Sequence, residues 1–532
     1  MDIGTISLIL LIGMFVLLGI GMPLGFASGF LAVVVMVLKF GPELLFSNFG
    51  TGPLNILAQR LYGITTDYVL ISVPLFIFMA TLLERSGIAR DMYSSLNMWL
   101  SRTRGGIAMV TAIMAIVMAA MSGIIGGEVV LLGLIALPQM LRLGYNQNLA
   151  IGTICASGSL GTMIPPSIVL IMYGLITETS IHALFKGAFI PGFILGSLYI
   201  IYIMVRTRLR PEEAPLPDPA PDDLDTSEKT RCFIIFVGWL VAVWSGGKLA
   251  HSLGIEFQNA FGLLKSAEDY QPYTMVQNLT NLVIFSATLF LPGLVFGKAL
   301  RSRAWMMSKG LLAPLLIVFV VLGSIYGGVT GITEAAGMGT VAVLLLIVLR
   351  GEFSGTLFRE ALMRTFKSTG TIIWVTFGAT ALAGAYTIAG GPTYVANLIT
   401  GLDLPTFGIL FVMMIIFLFL GAFMDWVGIV LLVMPVFLPI VLKLPVEELG
   451  LLGPLADART FVPVWFGILF CVNMQVSFLS PPFGPAAFYL KSVAPPHISL
   501  PDIFRGFLPF IGIQLFVLAL IFLFPEITMW FR

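Results

Sequence analysis

Two proline pairs interrupt strongly apolar stretches of the chain, and small or polar residues precede each pair. The pairs are Pro165-Pro166 and Pro481-Pro482. Each proline lacks a backbone N–H and clashes with the carbonyl four residues earlier, so a helix loses hydrogen bonds there. We therefore expect the carbonyls of Gly161 and Thr162 to lose their helical partners. Carbonyl and hydroxyl oxygens held at such a break can coordinate a hard cation such as sodium.

The two interrupted segments share a register. Cys155 precedes the first proline pair by the same interval as Cys471 precedes the second. The segments define two predicted broken helices, 148–178 and 462–492, in corresponding halves of the chain. Paired broken helices are typical of a secondary transporter, because irregular backbone at membrane depth is tolerated only beside protein or water. The alternative, two kinked packing helices, does not require small and polar residues before each proline pair.

The composition indicates an all-α polytopic membrane protein. Of the 532 residues, 58% are hydrophobic and 10% are charged, and the mean hydropathy is +1.01. The apolar runs are long and do not alternate as barrel strands do. The net charge of +1 argues against nucleic acid as a partner. The three cysteines lack metal-ligand spacing, and the N-terminus lacks the features of a signal peptide, so we expect the first helix to be retained.

Two further segments, 106–141 and 405–444, are too long for one span and carry glycines at their centres without a charged loop. We predict that each is a re-entrant helical hairpin. A hairpin followed by a broken helix then occurs twice, which defines two inverted repeats at 1–206 and 310–532. The intervening residues 207–309 begin with a Pro- and Asp-rich linker and add two extra transmembrane helices. In the second repeat, the pattern predicts an amphipathic helix at 352–366 and a separate span at 372–389.

Basic residues favour this topology. If both hairpins re-enter, most of the 28 Lys and Arg residues fall on one face, among them Arg85, Arg142, Arg206 and Arg359. By the positive-inside rule this face is cytoplasmic. The N-terminus is then periplasmic, the first hairpin opens to the cytoplasm and the second opens to the periplasm. If either hairpin crossed the membrane fully, the later basic residues would be scattered over both faces.

The candidate ligands lie at the hairpin tips and in the breaks that face them. The sodium candidates are Ser122, Gly123, Gly158, Gly161 and Thr162 in the first half and Gly421, Met424, Asp425, Ser477 and Ser480 in the second. The substrate candidates are Ser159, Pro165, Pro166, Ser167, Pro481 and Pro482. The half-helices predicted to begin at Ser167 and Phe483 direct their N-termini into the same space, where an anion would be stabilised. We expect no other metal and no cofactor.

Three acidic residues lie within predicted membrane segments. A buried carboxylate there is by default a candidate cation ligand or proton carrier. The position of Asp425 at a hairpin tip favours such a role. Glu334 could equally cap or hydrogen-bond a neighbouring helix, and Glu128 could extend to the cytoplasmic surface.

The chain resembles the large membrane subunit of tripartite ATP-independent periplasmic (TRAP) transporters, a DctM-like protein, and is most similar to the longer mannitol or chloroaromatic compound branch. The segments that carry the resemblance are ICASGSLGTMIPPSIVLIMYG, GLIALPQMLRLGYNQNLAIG, GITEAAG and FCVNMQVSFLSPPFGPAAFYL. Many members have small hydroxyl residues after the Ser-Gly of the first tip, where this chain has Ile124 to Glu128.

The resemblance implies an elevator-type ion transporter fold with sodium at the hairpin tips and facing breaks. It implies sodium-gradient-driven uptake of a small organic anion, usually a carboxylate, across the bacterial inner membrane. It also implies two partners. A periplasmic substrate-binding protein delivers the solute, and a small four-helix membrane subunit completes the complex.

Two other functions remain open at this point. A stand-alone sodium/dicarboxylate symporter of the same superfamily would share the inverted hairpins but need no periplasmic partner. An intramembrane enzyme would need a nucleophile with a base, or an H-E-x-x-H run, and neither occurs in the sequence. No G-x-x-x-x-G-K-[ST] run is present, so the chain itself is not expected to hydrolyse ATP. The sequence therefore predicts a transporter and not an enzyme.

Overall fold

The computed structural model describes residues 1–46, 52–123, 126–217, 224–260, 275–401, 404–445, 458–482 and 484–529. All regular secondary structure in these residues is helical, and eight of their helices are long and apolar enough to span a membrane. The predicted all-α, multi-pass class is therefore confirmed. In chain order the α-helices are α1 (Ile3–Gly19), α2 (Leu24–Phe40), α3 (Glu43–Phe46), α4 (Pro53–Thr65), α5 (Ser72–Arg85), α6 (Ile88–Leu100), α7 (Gly106–Ser122), α8 (Gly127–Ile135), α9 (Leu137–Arg142), α10 (Gln147–Gly158), α11 (Ile168–Thr177), α12 (Ile181–Leu209), α13 (Thr226–Ala260), α14 (Met275–Tyr326), α15 (Ile332–Leu349), α16 (Gly355–Ile388), α17 (Gly391–Thr400), α18 (Thr406–Gly421), α19 (Trp426–Val441), α20 (Ala458–Leu479), α21 (Pro485–Lys491) and α22 (Leu500–Leu523).

The chain forms two compact units. The larger comprises residues 1–90, 103–216 and 313–532, and the smaller comprises residues 91–102 and 217–312. The smaller unit contains α13 and most of α14, which is interrupted by a non-helical residue at Gly297. Its apolar centre is made by Cys232, Ile235, Ala304 and Met307. The repeat boundaries predicted at 206 and 310 stay a prediction.

In the larger unit, one set of helices pairs across the two halves of the chain. α2 packs on α16, and α5 packs on α15. The first contact is so close that a β-carbon on Gly378 would clash with the carbonyl of Gly25. α2 and α15 follow the first helix of each repeat, and α5 and α16 are the last long helices before each hairpin. The same pairing therefore occurs twice, as two inverted repeats require, and we call α1, α2, α4, α5, α15 and α16 the scaffold.

Both predicted hairpins are present. α7 ends at Ser122, the chain turns at Gly123 with a left-handed φ of 59°, and α8 begins at Gly127. In the second hairpin α18 ends at Gly421 and α19 begins at Trp426. The first arms have 17 and 16 residues, or about 25 Å at 1.5 Å per residue. That length is shorter than the roughly 30 Å hydrocarbon core of a bilayer, which fits arms that turn back inside it.

Both predicted broken helices are also present. The first consists of α10, a 3-10 turn at Ser159–Thr162 and α11, and the second consists of α20 and α21. The Thr162 carbonyl loses its helical partner as expected, since Pro166 has no N–H, and the Ser167 hydroxyl donates a hydrogen bond to that oxygen at 2.6 Å. A side chain replaces the backbone donor that the prolines remove. The predicted half-helix start at Phe483 lies outside the described residues, and α21 begins at Pro485.

The hairpins and broken helices pack reciprocally between the repeats. The second arm of the first hairpin, α8, contacts α21, and the second arm of the second hairpin, α19, contacts α11. A β-carbon on Gly133 of α8 would lie 2.9 Å from the Val493 side chain. The Tyr173 hydroxyl on α11 donates to the Pro463 carbonyl at 2.7 Å. These contacts combine two runs of helices, α7 through α11 and α18 through α21, into one group of elements, which we call the hairpin core.

Candidate ion and substrate site

The first hairpin tip rests directly on the first broken helix. The backbone N–H of Ile168 donates to the Gly123 carbonyl at 3.3 Å. A β-carbon on Gly123 would clash with the carbonyl oxygen of Pro166. Glycine at position 123 supplies both the left-handed φ and the space for this approach. The tip and the break therefore bring backbone oxygens from two separate segments into one place.

The other first-half candidates line the same break and are buried. Thr162 Oγ1 donates to the Ser159 carbonyl at 2.9 Å, and Ser159 Oγ donates to the Ala156 carbonyl at 2.7 Å. Each hydroxyl uses its hydrogen locally and keeps oxygen lone pairs that can face a cation. Gly158 packs so closely on Val129 of α8 that a β-carbon on Gly158 would lie 2.6 Å from the valine side chain. Gly161 lies in the 3-10 turn formed by Ser159–Thr162.

Glu128 lies under the first tip. Only 1% of the residue is exposed, and the Ser122 hydroxyl donates a hydrogen bond to Oε1. Within the described part of the chain, Oε2 has no hydrogen-bond partner. The side chain therefore lies inside the protein and does not extend to the cytoplasmic surface.

The second-half candidates surround a small cavity of about 20 Å³. Gly421, Met424, Asp425 and Ser477 line it. A volume of this size accommodates one water molecule or one ion. A β-carbon on Gly421 would clash with the Ser477 hydroxyl, so this tip also touches the break of its own repeat. Ser480 is not among the residues that line the cavity, and its hydroxyl donates to the Val476 carbonyl at 2.8 Å.

The substrate candidates occupy different environments. Pro165, Pro166 and Ser167 are buried beneath the first tip, whereas Pro481 and Pro482 are exposed. The sixth candidate, Ser159, is fully buried, and its hydroxyl accepts a hydrogen bond from Gln514 Nε2 of α22 at 3.4 Å.

Glu334 belongs to the scaffold. Its Oε1 accepts a hydrogen bond from the Tyr68 hydroxyl at 3.0 Å, and it lies in the first turn of α15. The residue is exposed. Glu334 is therefore not the buried carboxylate that the sequence suggested, and its role stays a prediction.

Three residues near the first tip were missed by sequence reasoning. Glu84 of α5 lies against Gly127 and forms an ion pair with Arg364 of α16 at 2.8 Å. A β-carbon on Gly126 would lie 2.8 Å from the Tyr489 ring of α21. A signal existed for Tyr489, because the register of the proline pairs aligns it with Tyr173. No pattern in the sequence joins Glu84 to the hairpin.

The ligand chemistry of the site is that of oxygen. No group of three or more His, Cys, Asp or Glu side chains that could hold a metal occurs among the residues that the structure describes. Hydroxyls, carbonyls and single carboxylates at two tips suit a hard monovalent cation and not a transition metal. Together with the paired hairpins and broken helices, this chemistry is typical of a membrane transporter.

Comparison with known proteins identifies the family. The model of the DctM component of tripartite ATP-independent periplasmic transporters matches residues 11–527. The chain belongs to this family, so the predicted resemblance is confirmed and the protein is a transport subunit, not an enzyme. The predicted similarity to the mannitol or chloroaromatic branch stays a prediction.

Individual relatives are distant but similar over nearly their full length. The C4-dicarboxylate TRAP transporter large permease protein DctM of Pseudomonas aeruginosa is 25% identical over 483 residues, which cover 90% of each chain. The sialic acid TRAP transporter large permease protein SiaM of Vibrio cholerae is 23% identical, covering 96% of this chain and 95% of that protein. The crystal structure of the Alcanivorax borkumensis YdaH transporter is 14% identical with a TM-score of 0.52, and the match covers 94% of this chain and 96% of that one. This last likeness concerns the fold alone.

Proposed function

We propose that the chain is the large membrane subunit of a TRAP transporter that uses a sodium gradient to take up a small organic carboxylate. A periplasmic substrate-binding protein delivers the solute, and a small four-helix subunit completes the complex in the bacterial inner membrane. The N-terminus is periplasmic. The observation that carries this proposal is the cavity of about 20 Å³ between the second tip and its break, lined by Gly421, Asp425 and Ser477.

Sodium coupling is supported by the repetition of this arrangement. In both repeats the tip glycine, Gly123 or Gly421, lies in direct contact with the break of the same repeat. An ion bound to oxygens of both segments would hold the tip closed on the break. Membrane potential would add about 2.3 kcal/mol per charge per 100 mV, so two sodium ions per monovalent anion could drive strong accumulation.

An anionic solute is supported by the helix N-terminus at the first break and by the relatives. α11 begins immediately after Ser167, whose hydroxyl accepts a hydrogen bond from the Leu170 N–H at 3.4 Å. The positive end of this helix would favour a carboxylate near the proline pair. The two named relatives carry C4-dicarboxylate and sialic acid in their descriptions, both of which are organic acids.

An elevator movement is supported by where the tips meet the scaffold. Glu84, at the C-terminal end of α5, lies against Gly127, and Leu24, at the start of α2, lies 2.5 Å from the position of a β-carbon on Gly428. In the predicted topology both scaffold ends are cytoplasmic. The first hairpin has its base on the cytoplasmic side in this topology, and its tip lies about 25 Å from that base. Because this tip nevertheless contacts the cytoplasmic end of α5, the hairpin core would be shifted toward the cytoplasm, as in an inward-facing state.

Space for a movement of the hairpin core toward the periplasm lies near the opposite ends of the scaffold helices. A cavity of about 480 Å³ separates α4 and α16 of the scaffold from α11 and α19 of the hairpin core. Residues from both sides line it, among them Arg60, Asp67, Thr380 and Pro435. In the predicted topology this cavity opens to the periplasm, and the core would slide into it to receive solute.

The test is uptake by proteoliposomes that contain the full chain and the small subunit, with the periplasmic binding protein added outside. A panel of radiolabelled carboxylates is offered under an inward sodium gradient or an equal potassium gradient. Uptake that requires both sodium and the binding protein is expected. Sodium-dependent uptake without the binding protein would favour the stand-alone symporter, and uptake that is indifferent to sodium would refute the coupling.

A further inference from the structure

The first hairpin tip buries a carboxylate for which no residue that the structure describes provides a counter-ion. Glu128 is 1% exposed, its Oε1 accepts one hydrogen bond from Ser122, and its Oε2 has no hydrogen-bond partner in the described part of the chain. Burial of an ionised carboxylate is strongly unfavourable unless a positive charge or a full set of donors accompanies it. The arrangement is therefore incomplete as a purely structural feature.

The groups packed around Glu128 do not neutralise it. The scaffold contributes Glu84, which lies against Gly127 and has the same sign of charge. Two cations act on Glu84: Arg364 forms an ion pair with it at 2.8 Å, and Arg85 forms an ion pair with Glu360. The opposite repeat contributes the Tyr489 ring, which packs on Gly126. Among the described residues, the elements at the tip thus supply a second carboxylate and a phenol to its surroundings, but no free cation.

The hydrogen bond to Ser122 determines the direction of the carboxylate. Glu128 is the second residue of α8, where a carboxylate commonly bonds the free N–H groups of its own helix. Here Oε1 is bonded to the last residue of α7, so the side chain links the two arms of the hairpin. Ser122, Glu128 and the Pro166 carbonyl beside Gly123 then offer hydroxyl, carboxylate and carbonyl oxygens at one tip.

We propose that Glu128 is a direct carboxylate ligand of a sodium ion at the first hairpin tip. This inference rests on the proposed sodium coupling and gives one of its sites a fixed negative charge. The ion would bind Oε2 and the Ser122 oxygen and so hold the two arms of the hairpin together. Asp425 brings a carboxylate to the second tip, so each repeat would load one cation against one carboxylate. An empty core would keep a buried carboxyl group whose Oε2 has no partner among the described residues, which disfavours its movement without the ion.

The test compares Glu128→Gln with Glu334→Gln, a matched removal of one carboxylate from the scaffold. Each full-length protein is purified in lipid nanodiscs, and its melting temperature is measured against NaCl, with choline chloride keeping the ionic strength constant. Sodium is expected to stabilise the wild type and Glu334→Gln with the same half-saturation. In Glu128→Gln the half-saturating sodium concentration should rise at least tenfold, which corresponds to about 1.4 kcal/mol.

The sodium-free melting temperature separates an ion ligand from a structural hydrogen bond. Loss of an uncompensated charge should leave Glu128→Gln as stable as the wild type, or more stable, in choline chloride. A variant that is destabilised in choline but keeps the wild-type sodium half-saturation would overturn the proposal. If Glu128→Gln does not fold, Glu128→Asp keeps the charge on a shorter side chain and should raise the half-saturating concentration severalfold; an unchanged value would overturn the proposal equally.

The wild type serves as the check on the underlying function. If sodium does not stabilise it beyond choline, the sodium coupling itself fails, and the Glu128 site fails with it. If sodium stabilises the wild type and Glu128→Gln with equal half-saturation, the coupling stands and only the carboxylate ligand is refuted.

Discussion

Gly123 and Pro166 are in direct contact: the tip of the first hairpin leaves no room for a β-carbon beside the proline carbonyl. Gly123 also has a φ of 59°, which L-residues with side chains rarely adopt. Two independent requirements for glycine therefore meet at the point where the hairpin closes on the broken helix. This contact brings the tip oxygens to the break, and the candidate ion site depends on it.

We predict that Gly123→Ala destabilises the protein and weakens sodium binding together. The left-handed backbone costs about 1–3 kcal/mol for alanine, and the clash with Pro166 adds about 1–3 kcal/mol of overpacking. The melting temperature in nanodiscs should fall, and the sodium concentration for half-maximal stabilisation should rise. Gly328→Ala is the matched control, because Gly328 has a φ of 67° with no atom within 4 Å of its β-carbon position. An equal loss in both variants would indicate backbone strain alone and would argue against the tip contact.

At the second tip, the contact between Gly421 and Ser477 makes a separate prediction. Gly421→Ala should destabilise the protein by about 1–3 kcal/mol, because its β-carbon would clash with the Ser477 side chain. The double variant Gly421→Ala/Ser477→Gly removes the clash and should recover the melting temperature. It should not recover sodium stabilisation, because the Ser477 hydroxyl is lost. Gly512→Ala, in open space on α22, should be neutral or stabilising by up to about 1 kcal/mol.

If the double variant regained both stability and wild-type sodium half-saturation, Ser477 would not be a ligand. If Gly421→Ala were as stable as Gly512→Ala, the close approach of the second tip to its break would be contradicted.

Glu213 predicts a pH dependence outside the membrane spans. Its carboxylate contacts Arg206 Nε at 2.5 Å and an Arg210 nitrogen at 3.2 Å. Burial alone would raise the pKa of Glu213, but the hydrogen bonds and charges of the two arginines outweigh it and lower the pKa below the ordinary 4.5. A lowered folded-state pKa means that the stabilisation is present above about pH 4.5 and is lost as the pH falls through the folded-state pKa.

Glu213→Gln should therefore lower the free energy of unfolding at pH 7 by about 1 kcal/mol and should lose less stability than the wild type on acidification to pH 3. Thermal melts at both pH values measure this difference. The neighbouring Glu212 is exposed, so Glu212→Gln should behave as the wild type. If the wild type and Glu213→Gln lost the same stability between pH 7 and pH 3, the result would count against the ion pairs.

The local features of the fold were predictable because their causes are local. Proline chemistry determines where α20 and the 3-10 turn that follows α10 end, and glycines without a charged loop indicate the hairpin turns. The loss of the helical partner at the Thr162 carbonyl followed from the prolines, but its replacement by the Ser167 hydroxyl was not predicted. The predicted division between 352–366 and 372–389 was wrong, since α16 is continuous from Gly355 to Ile388. The intervening residues are polar but include no proline, and polarity alone does not end a helix.

The candidate site was predictable in its parts but not in its assembly. Sequence reasoning located both tips and both breaks, and the cavity lined by Gly421, Asp425 and Ser477 brings three second-half candidates together. The proximity of Glu84 to the first tip arises from packing between distant segments, which no periodicity encodes. The same holds for the burial of Glu128, because a carboxylate directly after a pair of glycines is equally compatible with a surface group.

The proposed movement of the hairpin core against the scaffold is tested most directly by cross-linking the two. In a background with Cys155, Cys232 and Cys471 replaced by alanine, Leu24→Cys/Gly428→Cys joins α2 to α19, and Gly133→Cys/Val493→Cys joins two segments within the core. We predict that oxidation of the first pair abolishes sodium-driven uptake of the solute selected by the carboxylate panel, that reduction restores it, and that the second pair has no effect. Full uptake with Leu24→Cys/Gly428→Cys quantitatively cross-linked would contradict the movement of the core against the scaffold.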